Sequence, residues 1–192
     1  ILLKKGSGQA GEANIGGASK NSSATLPMAP SGMVLIEGGS FLMGRNLSEE
    51  EKSFEIGQPG QRIKIFSYDY PAHETSVKTF YLDKTEVPNS QYAAFVSATN
   101  HTAPDDWQGT EPPANAEAIP VTHVNYQDAT AYCSWLTTTR NDGLLYRLPS
   151  EEEWEYVARG KDAGKSGKKM MLYPWGDDWI EGAANTKESR DR

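Results

Sequence analysis

The sequence predicts an α+β fold in which short strands and three helices are joined by much irregular chain. Two observations carry this prediction: β-forming residues surround the paired glycines Gly38-Gly39, and three later segments combine an apolar stripe with helix-capping residues. A third observation sets the N-terminal limit, because residues 1–32 are rich in Gly, Ser and Asn and lack apolar periodicity. We therefore predict a flexible tail or linker over 1–32 and one ordered region over 33–192.

Charge and composition exclude several classes of function. The chain has 192 residues and a net charge of −7, whereas a protein that binds the nucleic-acid backbone needs a basic face. We therefore expect no nucleic-acid partner. No stretch approaches the roughly 20 apolar residues that a membrane-spanning helix needs. The tail favours an extracytoplasmic or membrane-tethered protein with its anchor upstream, although the compartment itself is undetermined.

The strand signals lie in the first half of the chain. Residues 33–37 and 40–44 flank the two glycines, so we predict a hairpin that turns at Gly38-Gly39. Further strands are predicted for 62–70 and 75–82, where apolar and polar residues alternate.

Two helices are predicted in the middle of the chain. The first begins at Pro88-Asn89, since proline suits the first turn of a helix, and ends at Asn100. The second covers 127–138 and begins after Asn125, which can cap it, with Asp128 three residues later. Their predicted buried faces are Tyr92, Phe95 and Val96 in the first, and Ala129, Tyr132, Cys133 and Leu136 in the second.

The third helix has the strongest signals. Ser150 and Glu153 form an S-x-x-E capping box, the acidic residues 151–153 suit the positive end of the helix dipole, and Gly160 provides the stop. We interpret these glutamates as capping residues rather than as acid/base or metal-binding groups. The predicted buried stripe is Trp154, Val157 and Ala158.

Several motifs resemble, in the same order, those of the sulfatase-modifying-factor family, which includes the formylglycine-generating enzymes. The matching segments are G-G-S-F-L-M-G (38–44), P-A-H (71–73), T-E-V-P-N-S-Q-Y-A-A-F-V (85–96), P-V with V-N-Y-Q-D-A-T-A-Y-C-S-W (120–135), R-L-P-S-E-E-E-W-E-Y-V-A-R-G (147–160), and Y-P-W-G with A-N (173–176, 184–185). Pro88 stands where the family usually has Thr, and Asn125-Tyr126 where it has Ser-Trp. These departures affect a helix start and one aromatic residue.

The resemblance implies a mixed α/β, C-type-lectin-like fold of which 33–192 is the N-terminal, truncated part. In the family, the later part carries a cysteine pair that binds copper and oxidises a sulfatase cysteine to formylglycine. The intact protein is then an oxidoreductase acting on a protein or peptide client, with copper only if a further segment supplies that pair. The alternative is a non-catalytic, lectin-like binding module tethered to a membrane or signalling protein. Whether the protein is an enzyme stays open at this point.

No catalytic or cofactor-binding residue is predicted within the chain. Cys133 lies on a helix face among apolar residues, so we expect a buried structural cysteine. The three histidines have no metal-binding spacing. Asn185 and Thr186 resemble the start of the family's calcium-binding stretch and are the predicted metal ligands, although calcium takes six to eight oxygen ligands.

The aromatic residues are predicted to lie mainly in the core. This group comprises Tyr126, Trp135, Trp154, Tyr173 and Trp175. An alternative places Trp107, Trp175 or Trp179 at a rim that faces a ligand.

Overall fold

The structure is a computed structural model that describes residues 4–7, 29–46, 54–55, 62–63, 71–160 and 173–185. Eight strands and three helices lie within these residues, which confirms the predicted α+β class. The strands are β1 (Lys4–Ser7), β2 (Met33–Ile36), β3 (Gly39–Met43), β4 (Phe54–Glu55), β5 (Arg62–Ile63), β6 (His73–Val77), β7 (Phe80–Asp83) and β8 (Leu144–Arg147). The helices are α1 (Asn89–Thr99), α2 (Tyr126–Arg140) and α3 (Glu151–Arg159).

The chain divides into two compact units. The first contains Ile1–Glu37 and Thr79–Pro149, and the second contains Gly38–Lys78 and Ser150–Arg192. Within the described residues, no helix has the length and apolar character needed to cross a membrane.

The first unit is built on an antiparallel four-stranded sheet in the order β2-β7-β1-β8. Helices α1 and α2 pack with this sheet around one buried cluster, in which Tyr92, Val96 and Tyr132 are at most 1% exposed. The predicted buried faces of both helices are confirmed. Trp107, on the loop between the helices, joins the same cluster and contacts Tyr92 edge-on, so it does not lie at a rim.

The helix termini follow the predicted capping. Asn125 and Asp128 bond reciprocally through each other's backbone N–H groups at 3.0 Å, and Ser150 and Glu153 form the corresponding box on α3. Asn100, which follows α1, has a positive φ of 55° and ends that helix in the left-handed region.

The second unit pairs β3 with β6 and packs both strands against α3. Tyr156 is the anchor of α3: its ring is 2% exposed and meets Phe41 of β3 edge-on, with ring centroids 5.2 Å apart. A Cβ atom on Gly39 would lie 3.0 Å from the Tyr156 hydroxyl oxygen, so a larger residue there would require the tyrosine to shift by a few tenths of an ångström. β4 and β5 form a separate two-stranded pair.

The predicted hairpin is wrong. β2 pairs with β7, whereas β3 pairs with β6, so the two strands on either side of Gly38 belong to different sheets. The strand predicted over 75–82 is likewise two strands, β6 and β7, in different sheets. Of the strand predicted over 62–70, β5 is confirmed and 64–70 lie outside the described residues.

Three further predictions differ from the structure: the burial of Trp154, the burial of Tyr126 and a flexible tail over all of 1–32. Trp154 is 58% exposed and Tyr126 is 70% exposed, so neither is a core residue. The buried residues of α3 are instead Glu153 and Tyr156. Within the predicted tail, Lys4–Ser7 forms a strand, while 8–28 lie outside the described residues and their flexibility stays a prediction.

Candidate functional site

Cys133 is a buried thiol rather than a redox centre. It lies on α2 with 2% of its surface exposed, and burial raises its pKa to about 11. The nearby Asp83 carboxylate acts in the same direction. A nucleophilic cysteine reacts as the thiolate, and burial disfavours that form of Cys133. The structural role expected for Cys133 agrees with its burial.

Asp83 is the last residue of β7, and its carboxyl group interacts electrostatically with Arg140 and Tyr132 of α2. Burial raises its pKa from 3.8 to about 6, and the positive charge of Arg140 offsets part of that rise. The pKa of the Tyr132 hydroxyl is raised mainly by burial and, to a smaller extent, by the charge of Asp83. Perturbed carboxyl groups of this kind are frequent in functional sites but also occur in structural ones. Here the carboxyl acts on Tyr132 and Cys133, which are core residues, and no local sequence pattern indicates its perturbation.

His101 and Asp128 form the second polar contact of interest. The His101 Nε2 atom lies 2.8 Å from one Asp128 carboxylate oxygen, while the other oxygen accepts the Asn125 N–H. Hydrogen bonding from that N–H, and then from His101, lowers the pKa of Asp128 despite partial burial. The His101 ring also packs on Phe95 at 4.8 Å. The pair thus joins the start of the loop after α1 to the cap of α2, which is a structural function.

A third polar cluster joins α3 to the end of β3. The Gly44 N–H donates to Glu155 Oε1 at 2.6 Å, and Arg159 donates to the Gly44 carbonyl at 3.0 Å. Glu155 and Arg159 also form an ion pair with each other at 3.1 Å. Gly44 is buried and has a φ of 78°, which explains why glycine ends this motif. We call these three residues the Gly44 clamp.

The aromatic turn near the end of the described chain contains three rings in mutual contact. Tyr173 and Trp175 stack with centroids 5.3 Å apart and an interplanar angle of 5°, and Trp179 meets both edge-on. Trp179 is 50% exposed and Tyr173 and Trp175 are partly buried. The turn therefore forms a small half-exposed aromatic cluster rather than part of a core.

The predicted calcium ligands do not make up a site by themselves. Asn185 is exposed, and Thr186 lies outside the described residues. Among the residues that the structure describes, no group of three or more His, Cys, Asp or Glu side chains could hold a metal ion. Calcium takes six to eight oxygen ligands, of which Asn185 is the predicted one that lies within the described residues. The calcium role of Asn185 and Thr186 stays a prediction.

Comparison with known proteins decides the family. The Sulfatase-modifying factor enzyme 1-like domain matches residues 19–191. The chain belongs to the sulfatase-modifying-factor family. Within this family, the formylglycine-generating enzyme of Streptomyces coelicolor is 30% identical over 200 residues, which cover 83% of this chain and 55% of that protein. The enzyme of Bos taurus is 28% identical over 79% of the chain and 44% of its own length.

Other family members widen the range of functions. The inactive C-alpha-formylglycine-generating enzyme 2 of Mus musculus is 28% identical over 76% of the chain and 51% of its own length. Among solved structures, PvdO from Pseudomonas aeruginosa has a TM-score of 0.48 and 27% sequence identity, covering 72% of this chain and 53% of that one. The chain thus spans about half the length of the curated relatives named here.

Sequence reasoning missed three features of this family member. It did not identify the Gly44 clamp, although both partners lie in recognised motifs, because a contact between positions 44 and 155 is not encoded in local spacing. It also missed the desolvated Asp83 carboxyl and the pairing of His101 with Asp128. A signal for the clamp did exist, since Glu155 and Arg159 stand four residues apart on one helix face.

Proposed function

We propose that this chain forms the scaffold part of a formylglycine-generating-enzyme-like domain, and that the protein containing it oxidises a cysteine of a client sulfatase to formylglycine with molecular oxygen. The observation that carries the proposal is the similarity to the Streptomyces coelicolor enzyme over 83% of the chain. The described geometry supports a scaffold role, because the polar clusters hold helices and strands together.

The burial of Cys133 indicates that it is not one of the reacting cysteines of such a protein. Cys133 is buried in an apolar helix face and burial raises its pKa to about 11, so it has neither the access nor the thiolate character typical of a metal-binding cysteine. The reacting cysteines of the proposed oxidase must therefore come from another segment, and copper would be held there.

The test is an assay on a peptide that contains C-x-P-x-R. The full-length protein, loaded with copper, should convert the peptide cysteine to an aldehyde that mass spectrometry detects and a hydrazide probe captures. Replacing Cys133 by Ala should leave this conversion intact, since that thiol only packs. Failure of the folded, copper-loaded protein to form the aldehyde would refute the oxidase, and loss of activity in a well-folded Cys133→Ala protein would refute the scaffold assignment.

A non-catalytic binding module is the second candidate. The specific observation that favours it is the similarity to the inactive enzyme of Mus musculus over 76% of the chain. In this case the same peptide, or another protein ligand, is bound without being oxidised. Calorimetric binding of the peptide with no mass change would support this alternative over the oxidase.

A further inference from the structure

Strand β1 occupies an inner position of the four-stranded sheet in the first unit. It pairs antiparallel with β7 on one side, through Lys4 and Lys5, and with β8 on the other side, through all four residues 4–7. Without a strand in this position, the backbone N–H and C=O groups on the facing edges of β7 and β8 would lose their hydrogen-bond partners. The sheet therefore needs a strand here, and we call this position the β7–β8 slot.

One face of the β7–β8 slot belongs to the core. The position of residue 5 lies directly opposite Tyr81 of β7 and Tyr146 of β8. Both tyrosines are members of the buried cluster of this unit and are 9% and 2% exposed. The position of residue 7 lies opposite Leu144, which packs against the same cluster. Because directly opposite residues of a sheet share a face, positions 5 and 7 of the slot require apolar side chains.

The sequence of β1 does not match this requirement. The strand reads K-K-G-S, so a lysine stands at position 5 and a serine at position 7. Lysine and glycine are both depleted in strands, and a glycine inside a strand weakens it. Residues 8–32, a long stretch rich in Gly and Ser, separate β1 from β2, and closing such a long connection costs chain entropy. β1 therefore fits the slot through its backbone pairing but not through its residue types.

The relatives of this chain indicate where a better matched strand would come from. The matched region covers between 44% and 55% of the curated relatives named above, so about half of each relative lies outside it. A strand from such a further segment would make the same backbone hydrogen bonds to β7 and β8 and would add the apolar contacts that β1 lacks. Within one polypeptide this strand is present at a high effective concentration, so it can compete with β1 without a partner protein.

We propose that β1 is a displaceable strand, and that the β7–β8 slot accepts in its place a strand from another segment of the same protein. That strand carries two apolar residues, two positions apart, at the sites that Lys5 and Ser7 occupy in this structure. Its insertion releases the N-terminal residues from the sheet, and they then serve as the linker that their composition predicts. The inference rests on the scaffold role proposed above and not on the oxidation, so protein without oxidase activity can still be used to test it.

Photo-cross-linking of the full-length protein identifies the strand in the slot. Leu145 is replaced by the photoreactive amino acid p-benzoylphenylalanine, because Leu145 is 51% exposed and lies opposite position 6 of the slot. Mass spectrometry after irradiation of mixed isotope-labelled and unlabelled protein shows which segment is attached and whether it belongs to the same copy. We expect the main cross-link to join Leu145's position to a segment of the same copy outside residues 1–192, with apolar residues two positions apart. Main cross-links to residues 1–8, to a second copy or to no segment of the protein would overturn the proposal.

The same replacement at Ile119 is the control for unspecific capture. Ile119 lies in the same unit and is 55% exposed, but it does not belong to a strand of the sheet. It should not attach the segment that position 145 attaches. Attachment of the same segment from both positions would contradict its placement in the slot.

Variants of β1 test why it is displaced. Lys5→Leu should raise the share of cross-links that go to residues 1–8 by roughly fivefold, because it places an apolar residue opposite the two buried tyrosines. Lys78→Leu is the matched control, since Lys78 is exposed between β6 and β7 and should leave that share unchanged. Deletion of residues 1–8 should change neither the Tm of the full-length protein nor the slow hydrogen exchange of the β8 amides. An unchanged share in Lys5→Leu, or exchange in β8 that becomes roughly tenfold faster after the deletion, would contradict the proposal.

Discussion

The Gly44 clamp gives the sharpest test of how α3 is held to β3. Glu155 accepts the Gly44 N–H at 2.6 Å and pairs with Arg159 at 3.1 Å, and its side chain is 12% exposed. A hydrogen bond to a charged group contributes about 1.5–3 kcal/mol to stability. The ion pair with Arg159 adds at most about 1 kcal/mol, because the Arg159 side chain is 21% exposed and solvent weakens the attraction. We therefore expect Glu155→Ala to lower the free energy of unfolding by about 2–3 kcal/mol.

That loss should be visible in a thermal melt of the full-length protein. For a chain of this length, about 2–3 kcal/mol corresponds to a fall of roughly 5–10 °C in Tm. Glu151→Ala is the matched control, because Glu151 lies on the same helix, is exposed, and loses only its favourable position near the helix dipole, worth about 0.3–1 kcal/mol. Glu155→Gln should fall between the two, because the amide keeps an acceptor for Gly44 but loses the charge.

A double variant separates the clamp from simple damage to the helix. Arg159→Ala removes the bond to the Gly44 carbonyl, so Glu155→Ala and Arg159→Ala together should cost less than the sum of the single changes. Additive effects would show that the two side chains do not act on Gly44 as a unit. A Tm of Glu155→Ala equal to that of Glu151→Ala would refute the reasoning altogether.

Three further predictions concern burial and capping. At pH 7 Asp83→Asn should stabilise the protein by about 1 kcal/mol, because burial raises the pKa of Asp83 to about 6 and so disfavours its charged form. The free energy of unfolding of the wild type should therefore fall by a similar amount as the pH rises from about 4 to about 6. Urea unfolding that shows no such slope, or the opposite one, would contradict this prediction. Ser150→Ala should cost about 1 kcal/mol through loss of the α3 cap, and an unchanged Tm would count against that cap. Tyr92→Phe should be nearly neutral in stability, since the buried Tyr92 hydroxyl has no hydrogen-bond partner among the described residues. Tyr146→Phe should cost about 1 kcal/mol, because it removes a 2.8 Å hydrogen bond to a carboxylate. Equal melting temperatures for the two variants would contradict this difference.

The helices could be predicted from the sequence because their determinants are local. The Asn125–Asp128 and Ser150–Glu153 boxes span three residues each, and both form as predicted. The apolar spacing of α1 and α2 likewise predicted the buried residues, since a helix with one such stripe has only one face to bury.

Strand pairing could not be predicted in the same way, because it depends on partners far along the chain. Met33–Ile36 finds its partner at Phe80–Asp83, and Gly39–Met43 finds its partner at His73–Val77. Two adjacent strands around a glycine pair are typical of a hairpin, and here only the long-range contacts show that the chain instead passes from one sheet to another.

The roles of the motif residues on α3 follow from what each one touches rather than from its hydrophobicity. Tyr156 lies close to the position that a Gly39 side chain would take, and Glu155 accepts the N–H of Gly44, so the glycines of one motif contact the helix residues of another. Trp154 takes no part in these contacts and is 58% exposed. A periodicity argument treats tyrosine and tryptophan alike, so it chose the wrong stripe on this helix. The two motifs are thus coupled through contacts between the glycine backbone of β3 and the side chains of α3.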